Sequence, residues 1–182
     1  MTIRFPSELV GERVLLRLPR LADAAPLHHA VTKHVEVARY LTWRPHESVE
    51  ATSSVLADIQ RWNERDDEQT WLIVQDDAPI GMLSCWAEDG AIELGFCLGP
   101  EHWGQGYMQD VLTLIIGHLR EQPDVKRIWA TTDIDNSRSA KTMQAVGLTQ
   151  TGVIEAHVVH PNIDAAPRDS LGFELPAPSL AR

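Results

Sequence analysis

A single carboxylate, Glu93, interrupts the apolar run AIELGFCL, and soon after it the turn EHWGQG, Glu101 to Gly106, places two glycines directly before the long apolar segment YMQDVLTLIIGHL. An acid in such a run is either an edge residue facing water or a placed proton acceptor, and the residues alone leave both readings open. The glycine turn has a clearer chemistry. A helix starting near Tyr107 exposes about four N–H groups without intrahelical partners, together with the positive end of its dipole. That combination is an anion site, and Gly104 and Gly106 let a ligand come close to the backbone. A hydrogen bond to a charged group contributes about 1.5–3 kcal/mol net, so three or four approach the roughly 8 kcal/mol of micromolar binding. The scale suits a pyrophosphate. The turn has no third glycine for a dinucleotide fingerprint, and no G-x-x-x-x-G-K-[ST] occurs in the chain. An isolated G-x-G is also what a plain tight turn contains.

The elements that must position these residues follow from periodicity and punctuation. The segment GERVLLRLPRLAD predicts a strand over Val14 to Leu18, ended by Pro19, with Asp23 as cap for a helix through AAPLHHAVTKH. Val49, Ser53, Leu56 and Ile59 or Gln60 recur at helical spacing behind Ser48, a further N-cap. TWLIVQ, GMLSCWAE and AIELGFCLG, separated by DDAPIG and EDG, read as a three-strand antiparallel meander. Alternation puts Ile92, Leu94, Phe96 and Leu98 on one face of the last strand and Glu93, Gly95 and Cys97 on the other. A largely buried helix from about Tyr107 to Glu121 ends before Pro123. RIWATTD is then a strand, and SRSAKTMQAVG a short helix capped by Asn136 or Asp135 and closed by Gly147. Strands around VIEAHVVH and DSLGFEL flank the loop HPNIDAAPRDS. The expected fold is one mixed α/β domain over residues 1–176, a mostly antiparallel twisted sheet of about seven strands flanked by about four helices. A disordered tail, 177–182, follows.

Composition narrows the function classes. With 43% hydrophobic residues the chain can bury a core without disulfides or metals. Cys85 and Cys97 are its only cysteines, expected as free thiols in a reducing compartment. No signal-peptide core or membrane span is apparent, which together with the thiols suggests the cytoplasm. Acidic residues outnumber basic ones, 26 to 16, for a net charge of −10, and no Lys/Arg-rich block is present, so nucleic acid is excluded as the expected partner. The histidines and cysteines show no H-x-x-x-H or C-x-x-C spacing, so no metal is expected.

The segment ELGFCLGPEHWGQGYMQDVL resembles the acetyl-coenzyme A binding motif of the GNAT superfamily of N-acetyltransferases, in particular the branch of the ribosomal-protein N-acetyltransferases RimJ and RimL. TTDIDNSRSAKTMQAVGL is similar to the branch's second motif, and the likeness covers nearly the whole chain. The superfamily pattern [QR]-x-x-G-x-[GA] has Glu101 at its first position here, a departure that leaves the glycine turn intact. The resemblance implies that the backbone of Phe96, Cys97 and Leu98 pairs with the pantetheine arm of acetyl-CoA. It implies that the amides of Trp103, Gly104, Gln105, Gly106, Tyr107 and Met108 hold the pyrophosphate, with Trp103 bracing the turn. It further implies that Asn136 bonds the pantetheine, that Glu93 is the general base, acting through water, and that Ser139 lies at the sulfur. Many members use a tyrosine in the second motif to protonate that sulfur, and NSRSAKTMQAVG has none. Ser139 is the substitute, although at i, i+4, i+7 spacing with Met143 and Val146 it is equally a small residue packing its helix. The expected reaction is acetyl transfer to a primary amine, small-molecule or protein N-terminal, by direct attack in a ternary complex. The alternative is a non-catalytic acyl-CoA sensor. The chain is expected to act as a monomer or homodimer.

Overall fold

The central strands alternate as the sequence dictates, and the sheet grows outward from them. The computed structural model describes residues 3–175, so the expected tail lies outside the described residues. Strands β1 (Glu8–Val10), β2 (Leu15–Arg17), β3 (Glu68–Gln75), β4 (Ala78–Glu88), β5 (Ala91–Leu98), β6 (Arg127–Asp133), β7 (Thr149–Val159) and β8 (Pro167–Glu174) form one sheet in the order β1-β2-β3-β4-β5-β6-β8-β7. Every pairing is antiparallel except β5 with β6. The helices are α1 (Ala24–Leu27), continued by a π-helical turn over His28–Thr32, then α2 (Val35–Ala38), α3 (Val49–Trp62), α4 (Tyr107–Arg120) and α5 (Ser137–Ala145).

Two helical layers enclose the sheet. In β3, Trp71 and Ile73 turn to one face and Leu72 and Val74 to the other, all of them buried. The first face packs on Val111, Leu112, Ile115, Ile116 and Leu119 of α4 and on Met143 of α5. The second packs on Leu27, Leu56 and Ile59 of α1 and α3. Local signals set the helix starts: Ser48 Oγ accepts from Ala51 N at 3.2 Å, and Asn136 Oδ1 accepts from Ser139 N at 3.3 Å.

Three details differ from expectation. The eighth strand is β1, a three-residue edge segment with mostly exposed side chains and hence no apolar alternation to announce it. The fifth helix is α2, a single turn. Asp23 does not cap α1 with its side chain. Its carboxylate instead accepts from Arg20 N at 2.7 Å, closing the preceding 3-10 turn, and takes a paired contact from Arg17 at 2.7 and 2.8 Å. An ion-pair partner within reach draws the carboxylate away from the helix amides.

A second buried carboxylate ties β6 to β8. Asp133 is fully buried, and Arg168 Nε and Nη2 reach its two oxygens at 2.6 and 3.1 Å, with His160 Nε2 at 3.6 Å. Burial alone would raise this carboxyl, but hydrogen bonds from Arg168 and from Asp135 N hold it below the ordinary range. Replacing Arg168 by Met should therefore leave an uncompensated buried charge and cost about 3–5 kcal/mol in urea unfolding at neutral pH. A depressed carboxyl contributes stability above its unfolded-state pKa and loses it as pH falls through the folded value. The deficit of the Arg168→Met protein should thus shrink in acid. An equal deficit at every pH would contradict the assignment.

Candidate active site

The site begins where two strands part. β5 and β6 pair in parallel only over Ala91, Ile92 and Glu93 with Arg127, Ile128 and Trp129, and beyond Glu93 they diverge. Register decides what β5 offers to the opening. Gly99 N donates to Ile80 O at 2.8 Å, and hydrogen bonding alternates along an antiparallel pair. The odd-numbered residues of β5 therefore bond to β4, while Leu94, Phe96 and Leu98 turn their N–H and C=O toward the gap. This corrects the expectation for Cys97, whose backbone is committed to Met82 of β4. The Leu98 carbonyl is also engaged, accepting from Trp103 Nε1 at 2.9 Å. That bond ties the Trp103 ring to the end of β5 and leaves Phe96 as the fully available backbone position.

A cleft of about 630 Å³ runs from this gap to the start of α4 and α5, with Phe96, Cys97, Leu98, Trp103, Gly104, Gly106, Tyr107, Met108, Asn136 and Ser139 on its wall. Gly104 and Gly106 adopt φ of +74° and +84°, a left-handed backbone that favours glycine. The amides of Gly104, Gln105, Gly106, Tyr107 and Met108 find no intramolecular acceptor among the described residues, whereas Trp103 N donates to Pro100 O at 3.3 Å. The anion-binding row is therefore one residue shorter than expected. Partnerless amides at a helix start fit a phosphate group, and the unpaired edge of β5 fits an extended amide-bearing arm. Together they match coenzyme A.

Several groups at this cleft carried no sequence signal. Arg138 and Lys141 line it, Arg138 lying 4.0 Å over the Trp103 ring. Arg13, from the turn between β1 and β2, donates to Gln105 O at 3.1 Å and to Asp110 Oδ2 at 2.6 Å. It both braces the loop and neutralises an acid in the first turn of α4. Arg138 and Lys141 come from α5 and Arg13 from the distant β1–β2 turn, so only the folded chain unites them.

Asn136 serves two ends. Its Oδ1 caps α5 while the residue lines the cleft, which leaves the Nδ2 donor for a ligand. Asn136→Asp keeps the capping oxygen and removes that donor. It should preserve the melting temperature yet weaken acetyl-CoA binding several-fold in calorimetry, whereas Asn136→Ala should also cost about 1 kcal/mol of stability. Undiminished affinity in the Asp variant would remove Asn136 from the ligand contacts.

Ser139 lies half-buried on the first turn of α5, lining the cleft, and its hydroxyl has no intramolecular partner among the described residues. Glu93 stands at the apex where the strands part but lines neither this cleft nor the cavity described next. The Trp86 ring covers Gly95, the position between Glu93 and Cys97 on that face. Burial raises the Glu93 carboxyl, and His157 opposes the shift. A β-bulge and the positive φ of Ala156 re-aim that part of β7, whose His157 Nδ1 lies 3.2 Å from Ser170 Oγ. Burial also pushes the Cys97 thiol up to about 12, which leaves it protonated and unsuited to nucleophilic work at neutral pH.

On the α1/α3 side of the sheet a second cavity, of about 570 Å³, shares Leu41, Phe96 and Cys97 with the first. Its wall includes Trp43, Trp62 and Trp86, Met82, Thr70 and Ser84, with Arg65 and Glu68 among its charged residues. The early helices contribute Leu27 of α1 and Thr52, Val55, Leu56, Ile59 and Trp62 of α3. The loop after β7 acts indirectly, through Asn162 Nδ2, which donates to Ala38 O and Trp43 O at 2.7 Å each. Among the described residues no group of three or more His, Cys, Asp or Glu side chains could hold a metal, and no helix is long and apolar enough to cross a membrane.

Residues 13–149 match the family model described as the acetyltransferase (GNAT) domain. The N-acetyltransferase YoaA of Bacillus subtilis (strain 168) is 24% identical over 155 residues, covering 82% of this chain and 87% of its own. Among solved structures, Mycobacterium smegmatis RimJ in complex with CoA-disulfide superposes with a TM-score of 0.84 at 19% identity, over 98% of this chain and 91% of that one. RimL, the ribosomal L7/L12 alpha-N-protein acetyltransferase, solved in complex with coenzyme A, gives a TM-score of 0.80 at 21% identity, over 96% and 97%.

Proposed function

Because the chain belongs to the GNAT acetyltransferase family, with acetyl-CoA as its acetyl donor, we propose that it acetylates a primary α-amine, that of a peptide or protein N-terminus, by direct attack in a ternary complex. The observation that carries this reading is the junction of the two cavities at Leu41, Phe96 and Cys97. A donor in one and an acceptor in the other would meet across a shared wall without a covalent enzyme intermediate. The protonated Cys97 thiol agrees with that route. The likeness to RimJ and RimL supports the acceptor class, and the cytoplasm is the compartment that suits free thiols and an acetyl-CoA supply.

Bound in the cleft, acetyl-CoA supplies an acetyl group activated as a thioester. The chain's own groups then have three tasks. Phe96 N–H, turned to the gap, holds the extended arm, and the amides of residues 104–108 hold the phosphates. Glu93 accepts the proton that the amine nitrogen loses as its bond to the acetyl carbon forms. Because Glu93 lines neither cavity, a water carries this proton to the carboxylate in this reading. The Ser139 hydroxyl hydrogen-bonds the sulfur as the carbon–sulfur bond breaks, which is the modest help a thiolate with pKa about 8.5 requires.

Proton arithmetic favours the α-amine. At a pKa of about 7.7–8.0 roughly one terminal amine in six to ten is neutral at pH 7, against on the order of one in 2,500 for lysine. Initial rates with peptides bearing either a free α-amine or only a lysine amine test the reading. Faster acetylation of the α-amine and intersecting double-reciprocal lines are expected. Parallel lines, or a preference for lysine, would overturn it.

A further inference from the structure

The second cavity has a composition that acetyl transfer by itself does not require. Three of the six tryptophans, Trp43, Trp62 and Trp86, line it. Among the exposed large hydrophobic side chains of the described residues only two are aromatic, Trp62 at 42% and Trp86 at 43%, and both belong to this cavity. They arrive from separate elements: Trp43 from the loop after α2, Trp62 as the last residue of α3, and Trp86 from β4. Leaving large indole faces in water forgoes their burial, and here the exposed faces gather on a concave wall instead of scattering. Phe96 and Met82 add to the same wall. The volume of about 570 Å³ lies within the range of small-molecule sites.

The polar groups of the wall are consistent with a ligand. Glu68 Oε1 is buried without a hydrogen-bond partner, with Arg65 Nη1 no closer than 3.5 Å. Such an acceptor is costly to leave unsatisfied, and an N–H or O–H on the edge of a stacked ring would satisfy it. Elsewhere in the lining Thr52 Oγ1 holds His46 Nδ1 at 2.9 Å, and burial lowers the pKa of the His46 ring, which favours its neutral form. Apart from Arg65 and Glu68 the lining carries no Asp, Glu, Lys or Arg side chain.

We infer that this cavity selects primary amines carried by a flat aromatic group, either an arylalkylamine or a peptide whose first residue is aromatic. The inference rests on the amine-acetylation reading above and names its acceptor class. The aromatic body lies among Trp43, Trp62 and Trp86, and the amine points toward Phe96 and Cys97, where the two cavities join.

Initial rates with tryptamine, n-hexylamine, a tripeptide beginning with tryptophan and one beginning with alanine test it, alongside calorimetric binding of the two small amines to the protein saturated with coenzyme A. Each aromatic acceptor should exceed its aliphatic counterpart by about tenfold or more in kcat/KM, and tryptamine should bind more tightly than hexylamine by a similar factor. Trp62→Ala should bring these ratios close to one, and Trp62→Phe should restore most of them. Which aromatic acceptor is preferred, tryptamine or the tryptophan peptide, identifies the source. Ratios near one in the unmodified protein, or ratios unchanged by Trp62→Ala, would overturn the inference. If no amine were acetylated but the Trp62-dependent binding preference persisted, the inference would stand and the acetylation reading would fall.

Discussion

Gly106→Asp is expected to weaken acetyl-CoA binding at least about a hundredfold in calorimetry, the loss of roughly two charge-assisted hydrogen bonds. Gly106 is the N-cap of α4 at φ +84°, and its amide lies in the middle of the partnerless row from Gly104 to Met108. A carboxylate there would sit at the positive end of the helix dipole, in the place a phosphate would take, and repel it. The size of the side chain is the lesser effect. A Cβ at this position would meet only Arg13 Nη2 at 3.0 Å and Gln109 Oε1 at 3.2 Å, both ends of flexible side chains. Gly106→Ala should accordingly lose much less affinity than Gly106→Asp. Circular dichroism confirms folding in each case, and a folded Asp variant with unchanged affinity would place the phosphates elsewhere.

Glu93→Gln should lower kcat by about two to three orders of magnitude, the usual contribution of a positioned base, while leaving acetyl-CoA affinity nearly intact. The same substitution should raise the melting temperature. Burial lifts the Glu93 carboxyl above its ordinary value of 4.5, so the folded state binds the proton more tightly than the unfolded chain. Its stabilising contribution is complete below the unfolded-state pKa and is lost as pH rises through the raised folded value. At neutral pH the native protein therefore carries a buried charge that the Gln variant lacks, and the gain in stability should vanish toward pH 4. The acid limb of the kcat profile should lie above the ordinary glutamate value and disappear in Glu93→Gln. Full turnover in that variant, with chemistry rate-limiting, would remove Glu93 from the mechanism.

Local chemistry made much of this legible. The alternation of AIELGFCL foretells the buried Ile92, Leu94 and Leu98, the Ser48 cap is visible before α3, and two glycines announce the start of α4. Short or weakly patterned elements stayed silent, as β1 and the single turn α2 did. The pairing of β5 also lay beyond reach: one bond, Gly99 N to Ile80 O, decides that Phe96 and not Cys97 offers its backbone to the cleft, and no residue type reports that parity. Asp23 misled because a good cap residue had a stronger partner in Arg17. Long-range assembly hid the rest. Arg13 meets the start of α4 across 97 positions of sequence, and the three indoles of the second cavity come from a loop, a helix end and a strand.

The most direct test of the central claim is to follow, in one reaction, the thiol released from acetyl-CoA and the acetylated amine formed as the acceptor concentration is raised. Thiol and acetylated product appearing in equal amounts, at a rate that depends on the amine and falls in Glu93→Gln, is the result expected. Tight binding of acetyl-CoA with no amine-dependent thiol release from any acceptor would contradict it and make the protein a binder of the cofactor instead of an enzyme.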